Sequence, residues 1–305
     1  MQQPRLIVRL QALSFTLTNL QPKDRALSMR NNISTLKNDP DFIRTLIQGN
    51  NIIWSLMYYD ELVLKQNYHL TFLANANLPF YNAAQAVNKI DSESLQEIEA
   101  YYRGHNINPA FYLDPASLHW LKPYLIEHRY SELLSELENW WGILLEEDVM
   151  KIRYQDYLKI SKSQIRVKII NPQNLDDLNQ FLTINQVTNE LPDHIIEKLN
   201  INMRERIYPK ATNTLLIVYV NDVPASIHTL GLYNNMGFLA EGGTLPEFQK
   251  LGLYTFTTFF FLKYAYERGA KVVALTCTQD SVTNFTSKRV GLELLFQRQF
   301  MSKKE

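Results

Sequence analysis

The sequence has few of the residues that staple, chelate or span. Its one cysteine, Cys277, excludes an intrachain disulfide and is compatible with a reducing compartment. The six histidines (His69, His105, His119, His128, His194 and His228) form no His-x-x-x-His pair and have no cysteine partner, so no metal is expected. No run approaches the roughly 18 consecutive apolar residues of a membrane span. The opening segment alternates apolar and polar residues and lacks the core of a signal peptide. Neither a Gly-x-Ser-x-Gly elbow nor a Walker loop occurs, which sets aside serine hydrolases and P-loop NTPases. Formal net charge is zero, so no broad electrostatic footprint for nucleic acid is expected. These absences predict a soluble cytoplasmic protein that works without a membrane or nucleic-acid partner.

What the chain does contain is apolar and aromatic material enough for a large core. At 305 residues it is long enough for two units. Residues 1–48 read as a helical extension broken at Pro22 and Pro40. Residues 49–160 alternate strand-like and helix-like runs: "YHLTFLANA" (68–76) and "PAFYLDP" (109–115) as strands, "SESLQEIEAYYRGH" (92–105) and "SLHWLKPYLIEHRY" (117–130) as helices, with a proline interruption at Pro123. "SELENWWGILL" (135–145) reads as another strand. The polar, basic segment 148–164 marks a junction, and residues 164–305 form the second unit.

The second unit begins with the half-buried strand "IRVKII" (165–170), followed by helices over 174–187 and 192–207. Three strands then meander, turning through Asn221-Asp222 and Asn234-Asn235, residues that tolerate a left-handed turn backbone. Next come a Gly-containing turn, an aromatic-rich helix (253–268), a strand (271–278), a short helix, and "LELLFQRQF" (292–300) after Gly291. The turn "QKLGLY" (249–254) runs directly into its helix. The first amides of a helix lack internal acceptors and its dipole end is positive, so a pyrophosphate would satisfy both there. Gly252 would allow close approach. A bare helix-starting glycine reads the same way on this motif alone.

The order of elements over 164–300 resembles the GNAT superfamily of acyl-CoA-dependent N-acyltransferases. The resemblance is carried by "TLPEFQKLG" (244–252), similar to that family's Arg/Gln-x-x-Gly-x-Gly/Ala cofactor loop, and by "RVGL" (289–292) before the last strand. It implies an α/β (α+β) GNAT fold, with a mixed, mostly antiparallel sheet flanked by helices. The first unit would be a companion α/β domain, a degenerate copy of the same fold that shapes the acceptor cleft. It also implies acetyl-CoA as co-substrate. The amides of Gln249, Lys250, Leu251, Gly252, Leu253 and Tyr254 would hold its pyrophosphate. The strand through Gly243, Thr244 and Leu245 would pair with the pantetheine arm, and Asn284 would start the following helix. Two departures stand out: Tyr254 replaces a small residue, and Ser287 occupies the place of the family's frequent general-acid tyrosine. A serine is a poor proton donor to a departing thiolate.

Among candidate catalytic groups, Glu241 lies on the strand expected to face the thioester. It reads either as a base acting through water or as an exposed strand carboxylate. His228, on the neighbouring strand, reads as an alternative base or as a structural histidine. Ser287 completes the set. Cys277 reads as a buried small hydrophobe in preference to a nucleophile. The expected activity is acetyl transfer from acetyl-CoA to an amine of a small molecule or peptide, by direct attack in a ternary complex. The alternatives are a non-catalytic CoA-binding sensor or interaction module, and a longer-chain acyltransferase.

Overall fold

The computed structural model describes residues 33–76, 81–133, 137–207, 213–279 and 281–303. Of the expected helical extension, residues 1–32 lie outside the described residues. Helix α1 (Pro40–Met57) runs on past residue 48. Asp39 caps it, accepting from Asp41 N at 2.9 Å, and Pro40 occupies the first turn, where a missing N–H does no harm.

Strands β1 (Glu61–Leu64), β2 (Tyr68–Phe72) and β3 (Ala84–Ala86) follow, then α2 (Ser92–Gly104), whose cap is Asp91, accepting from Ser94 N at 2.8 Å. Strand β4 (Ala110–Leu113) leads to α3 (Leu118–Glu127), which continues through Pro123 without breaking. Strands β5 (Tyr130–Glu132) and β6 (Glu138–Leu144) complete the first half. The polar segment after them forms only single turns, at Asp148–Lys151, Tyr154–Tyr157 and Lys162–Gln164.

The second half keeps close to its sequence pattern. Strand β7 (Ile165–Ile170) precedes α4 (Leu175–Asn189), capped by Asn174, and α5 (Asp193–Asn202), which ends in a π turn at Met203–Ile207. Strands β8 (Asn213–Val220), β9 (Val223–Tyr233) and β10 (Met236–Thr244) form the meander. Both turns carry positive φ at each central residue: 50° and 64° at Asn221-Asp222, 47° and 58° at Asn234-Asn235. That backbone matches the strand twist, which is why Asn and Asp stand there. Helix α6 (Leu253–Glu267), β11 (Val272–Thr278), α7 (Val282–Arg289) and β12 (Glu293–Lys303) follow.

The strands form one continuous sheet in the order β1-β2-β3-β4-β12-β6-β11-β10-β9-β8-β7, with β5 also on β12. Among the described residues only β3/β4 and β10/β11 pair in parallel. Strand β6 lies between β11 and β12, with Thr276 opposite Trp140 and Phe296 opposite the same residue from the other side. Strand β12 pairs with β6 up to Arg298 and with β4 from Gln299 onward, so it joins the two halves of the sheet.

Alternation along the strands sorts the core into two layers. Leu215, Ile217 and Tyr219 of β8 face α4 and α5, while Leu216, Val218 and Val220 face α6. The adjacent tryptophans divide likewise: Trp140 is buried with α1 and Phe238, Trp141 with α6 and Leu275. The result is a mixed α/β fold with a mostly antiparallel sheet flanked by seven helices of eight residues or more among the described residues. No helix of the described residues is long and apolar enough to cross a membrane.

Candidate active site

Strands β10 and β11 run together from Met236/Val272 to Leu239/Leu275 and then part. Two features drive them apart. Strand β10 bulges at Ala240–Glu241, since Leu239 faces Leu230 while Gly242 faces His228, which adds a residue on one side. Strand β11 meanwhile continues against β6. The gap opens into a cavity of about 310 Å³. Glu241 and Gly242 line one side, Thr276 and Cys277 the other. Asn50 and Trp54 of α1 close it from the first half of the chain.

Glu241 is buried within this opening, 8% exposed, where the sequence left open an exposed carboxylate. Its Oε1 accepts from the Tyr58 hydroxyl at 2.5 Å, and its Oε2 from Asn189 Nδ2 at 3.3 Å. Burial pushes its carboxyl up to about 7, against the pull of the Tyr58 hydrogen bond. The Tyr58 phenol is itself driven well up by burial and by the adjacent carboxylate, so it keeps its proton. Trp54 stacks on Tyr58 with centroids 5.0 Å apart, and Tyr81 packs against both, 5.7 Å from Tyr58 and 6.5 Å from Trp54. A carboxylate near neutrality, held by a phenol and an amide, can take a proton from an ammonium at physiological pH.

Across the cavity Arg298 is 2% exposed. Its Nε and Nη2 donate to Glu138 Oε2 at 2.6 and 2.5 Å, and its Nη1 to Gln85 Oε1 at 3.3 Å. The guanidinium lies 3.7 Å above the Tyr112 ring, which also packs on Phe300 at 4.2 Å. A buried ion pair of this kind is tolerated only because its donors and acceptors are satisfied.

The Gly252 turn abuts the cavity through Tyr254. Gly252 has φ +85°, a backbone that glycine adopts without strain. Its close approach is made by the chain itself: a Cβ there would lie 2.0 Å from the Tyr157 carbonyl oxygen, and Lys159 N donates to Leu251 O at 3.0 Å. The first helical bond runs from Phe256 N to Gly252 O, so the amides of Leu253, Tyr254 and Thr255 have no intrahelical acceptor. Gln249 N and Leu245 N are bonded within the chain, to Pro246 O and Ala225 O. Lys250 takes the left-handed conformation and points outward, exposed. Gly243 makes room for α4, since a Cβ would meet Thr188 Oγ1 at 2.0 Å, and Thr244 Oγ1 bonds Ser226 Oγ at 2.9 Å.

Of the predicted catalytic residues, the structure brings only Glu241 to the cavity wall. His228 sits in the core beside it, 2.6 Å from Thr257 Oγ1 through Nε2, and burial lowers its pKa to about 3. Ser287 is buried in α7 and donates to Thr283 O at 2.8 Å. Asn284 ties α7 to β6, its Oδ1 accepting from Asn139 Nδ2 at 2.8 Å and Trp141 Nε1 at 2.9 Å. Cys277 does line the cavity, but burial pushes its thiol up to about 11 and keeps it protonated. Tyr254, expected from the sequence to offer its amide to the pyrophosphate and noted there for its size, presents its ring to the cavity 4.9 Å from His228, with its hydroxyl against Thr283 and raised to about 12 by burial. Tyr58, Trp54, Tyr112 and Arg298 carried no motif. Only pairing across more than a hundred residues of sequence brings them here.

No protein-family model matches the sequence, and no curated protein matches it. Solved structures do. A GCN5-related N-acetyltransferase from Kribbella flavida superposes with a TM-score of 0.57 at 14% identity, over 86% of this chain and 96% of its own. A second, from Sphaerobacter thermophilus, gives 0.52 at 13%, over 80% and 82%. A tandem GNAT protein from the clavulanic acid biosynthesis pathway gives 0.56 at 10%, over 77% of each chain. At these identities the likeness speaks to architecture, and it extends well beyond residues 164–300 into the first half. The chain has the GNAT fold.

Proposed function

We propose that the protein transfers an acetyl group from acetyl-CoA to an amine by direct attack in a ternary complex. The observation that carries this reading is the parting of β10 and β11 onto a cavity that holds a buried carboxylate near neutrality, next to a helix start whose first amides have no intrahelical acceptor. The amides of Leu253 and Tyr254 would receive the pyrophosphate, and the free edge of β10 past Leu239 would take the pantetheine arm. Glu241 would accept a proton from the incoming ammonium. The freed nitrogen attacks the thioester carbon, the C–S bond breaks, and the thiolate takes a proton from the Tyr254 hydroxyl, which burial keeps protonated. The Tyr254 oxygen then recovers the second proton lost by the amine nitrogen. In this reading Tyr254 supplies what Ser287 does not. The companion role of the first half would be its contribution of Asn50 and Trp54 to the cavity wall and of Tyr58 as the donor that holds Glu241.

A non-catalytic CoA-binding module is the second reading, favoured by Ser287, whose hydroxyl is spent on the Thr283 carbonyl at the position where a proton donor was expected. One experiment separates the two: calorimetric titration with acetyl-CoA, then amine-dependent thiol release by wild type and Glu241→Gln. Binding with turnover that Glu241→Gln abolishes supports transfer. Binding without turnover for any amine supports the module, and no binding removes both.

A further inference from the structure

Charge and surface chemistry inside the cavity narrow the acceptor, given the acyl-transfer reading above. Three charged side chains line it: Glu138, Glu241 and Arg298. Arg298 is committed to Glu138 through two nitrogens and to Gln85 through the third. Glu241 is held by Tyr58 and Asn189, both neutral. The lining therefore carries one net negative charge when Glu241 is ionised, and no cation is left to receive an anion. Four aromatic residues also line it: Trp54, Tyr59, Tyr112 and Phe300. Ring faces attract a cation and pack against a flat apolar body.

We propose that the acceptor is a primary monoamine on a flat apolar body, an aralkylamine, without carboxylate or phosphate. A carboxylate on the ligand would be buried facing Glu138 and Glu241 with no free cation to pair it. A second ammonium, as in a polyamine, would find no second free carboxylate. Both are penalised by desolvation without compensation. The ammonium of a monoamine meets Glu241, while its ring fills the space between Trp54 and the Tyr112–Phe300 pair.

The test compares 2-phenylethylamine, phenylalanine and spermidine. The first two share one ring and differ by the carboxylate, and the third adds charge without a ring. Binding is read by calorimetry, and turnover by thiol release with saturating acetyl-CoA. Phenylethylamine is expected to bind, with kcat/KM about tenfold or more above both others. Trp54→Leu is expected to raise its KM by more than it lowers kcat. Phe300→Leu gives the same readout should Trp54→Leu fail to fold. Phenylalanine or spermidine binding as tightly, or being acetylated as fast, overturns the proposal. So does a protein that binds acetyl-CoA but none of the three amines. Phenylethylamine binding to a protein that does not bind acetyl-CoA sustains the ligand class and overturns the transfer reading alone.

Discussion

Removing one hydroxyl should move the pH dependence of the reaction. Tyr58 donates to Glu241 across 2.5 Å in a fully buried setting, and that bond works against the burial that raises the carboxyl to about 7. Hydrogen bonds to charged groups contribute about 1.5–3 kcal/mol. At about 1.4 kcal/mol per pKa unit, Tyr58→Phe should shift Glu241 upward by about 1 to 2 pH units. The base must be deprotonated to work, so wild-type activity should rise with pH through about 7. In Tyr58→Phe the same limb should appear about 1 pH unit or more higher, with activity recovered on the alkaline side. The assay is kcat/KM for thiol release between pH 5 and about 9.5, with Glu241→Gln as the variant that should lack the limb. An acceptor ammonium titrates near 10 and is common to all three proteins. A limb unmoved in Tyr58→Phe, or retained in Glu241→Gln, refutes the assignment of Glu241 as the base.

Three further outcomes are expected. Arg298→Met leaves the Glu138 carboxylate without its cation and should lower stability by about 3–5 kcal/mol in chemical denaturation. Combining it with Glu138→Gln should restore part of that, and a loss near zero for the single variant would mean the pair is not buried as described. Gly252→Ala faces both a positive φ and the Tyr157 carbonyl, so its melting temperature should fall in line with about 1–3 kcal/mol of strain. An unchanged temperature would show that segment 154–159 does not pack on the turn. His69 is buried with no partner for Nδ1, and burial lowers its pKa to about 4 from 6.5. The unfolded chain binds that proton first on acidification, so stability is present above pH 6.5 and declines as pH falls toward 4, by about 1.4 kcal/mol per pH unit for this group. His69→Phe should flatten the decline in acid unfolding, whereas an unchanged acid midpoint would exclude a neutral, buried imidazole.

Local chemistry in the second half was legible because it is written in neighbouring residues. Asn221-Asp222 and Asn234-Asn235 fix the meander turns, and Asn174 starts and caps α4. Alternating apolar residues mark β7 as a half-buried strand. The cavity was only half legible. Glu241 could be picked out from its strand, but its burial depends on Tyr58, 183 residues away. His228 and Ser287 stand at suggestive positions in the chain, yet their side chains bond Thr257 and the Thr283 carbonyl. The glycines at 243 and 252 looked like room for a ligand, and the fold uses them to admit Thr188 and Tyr157. Nothing local to "ENWWGIL" says that this strand separates β11 from β12. That placement is a matter of long-range pairing, which periodicity does not encode.

The long strand β12 has a consequence for how the chain reaches this state. Until residues 293–303 are available, β4 and β6 each present an unpaired edge, although both were synthesised more than 150 residues earlier, as the 160-residue span from Glu138 to Arg298 illustrates. A nascent chain would hold those apolar edges open for most of its synthesis, the condition in which strands find wrong partners. Closure over such distances is also slow in a single domain. Cutting the chain near residue 160 should therefore give two fragments with sticky sheet edges, neither able to stand alone as a soluble half.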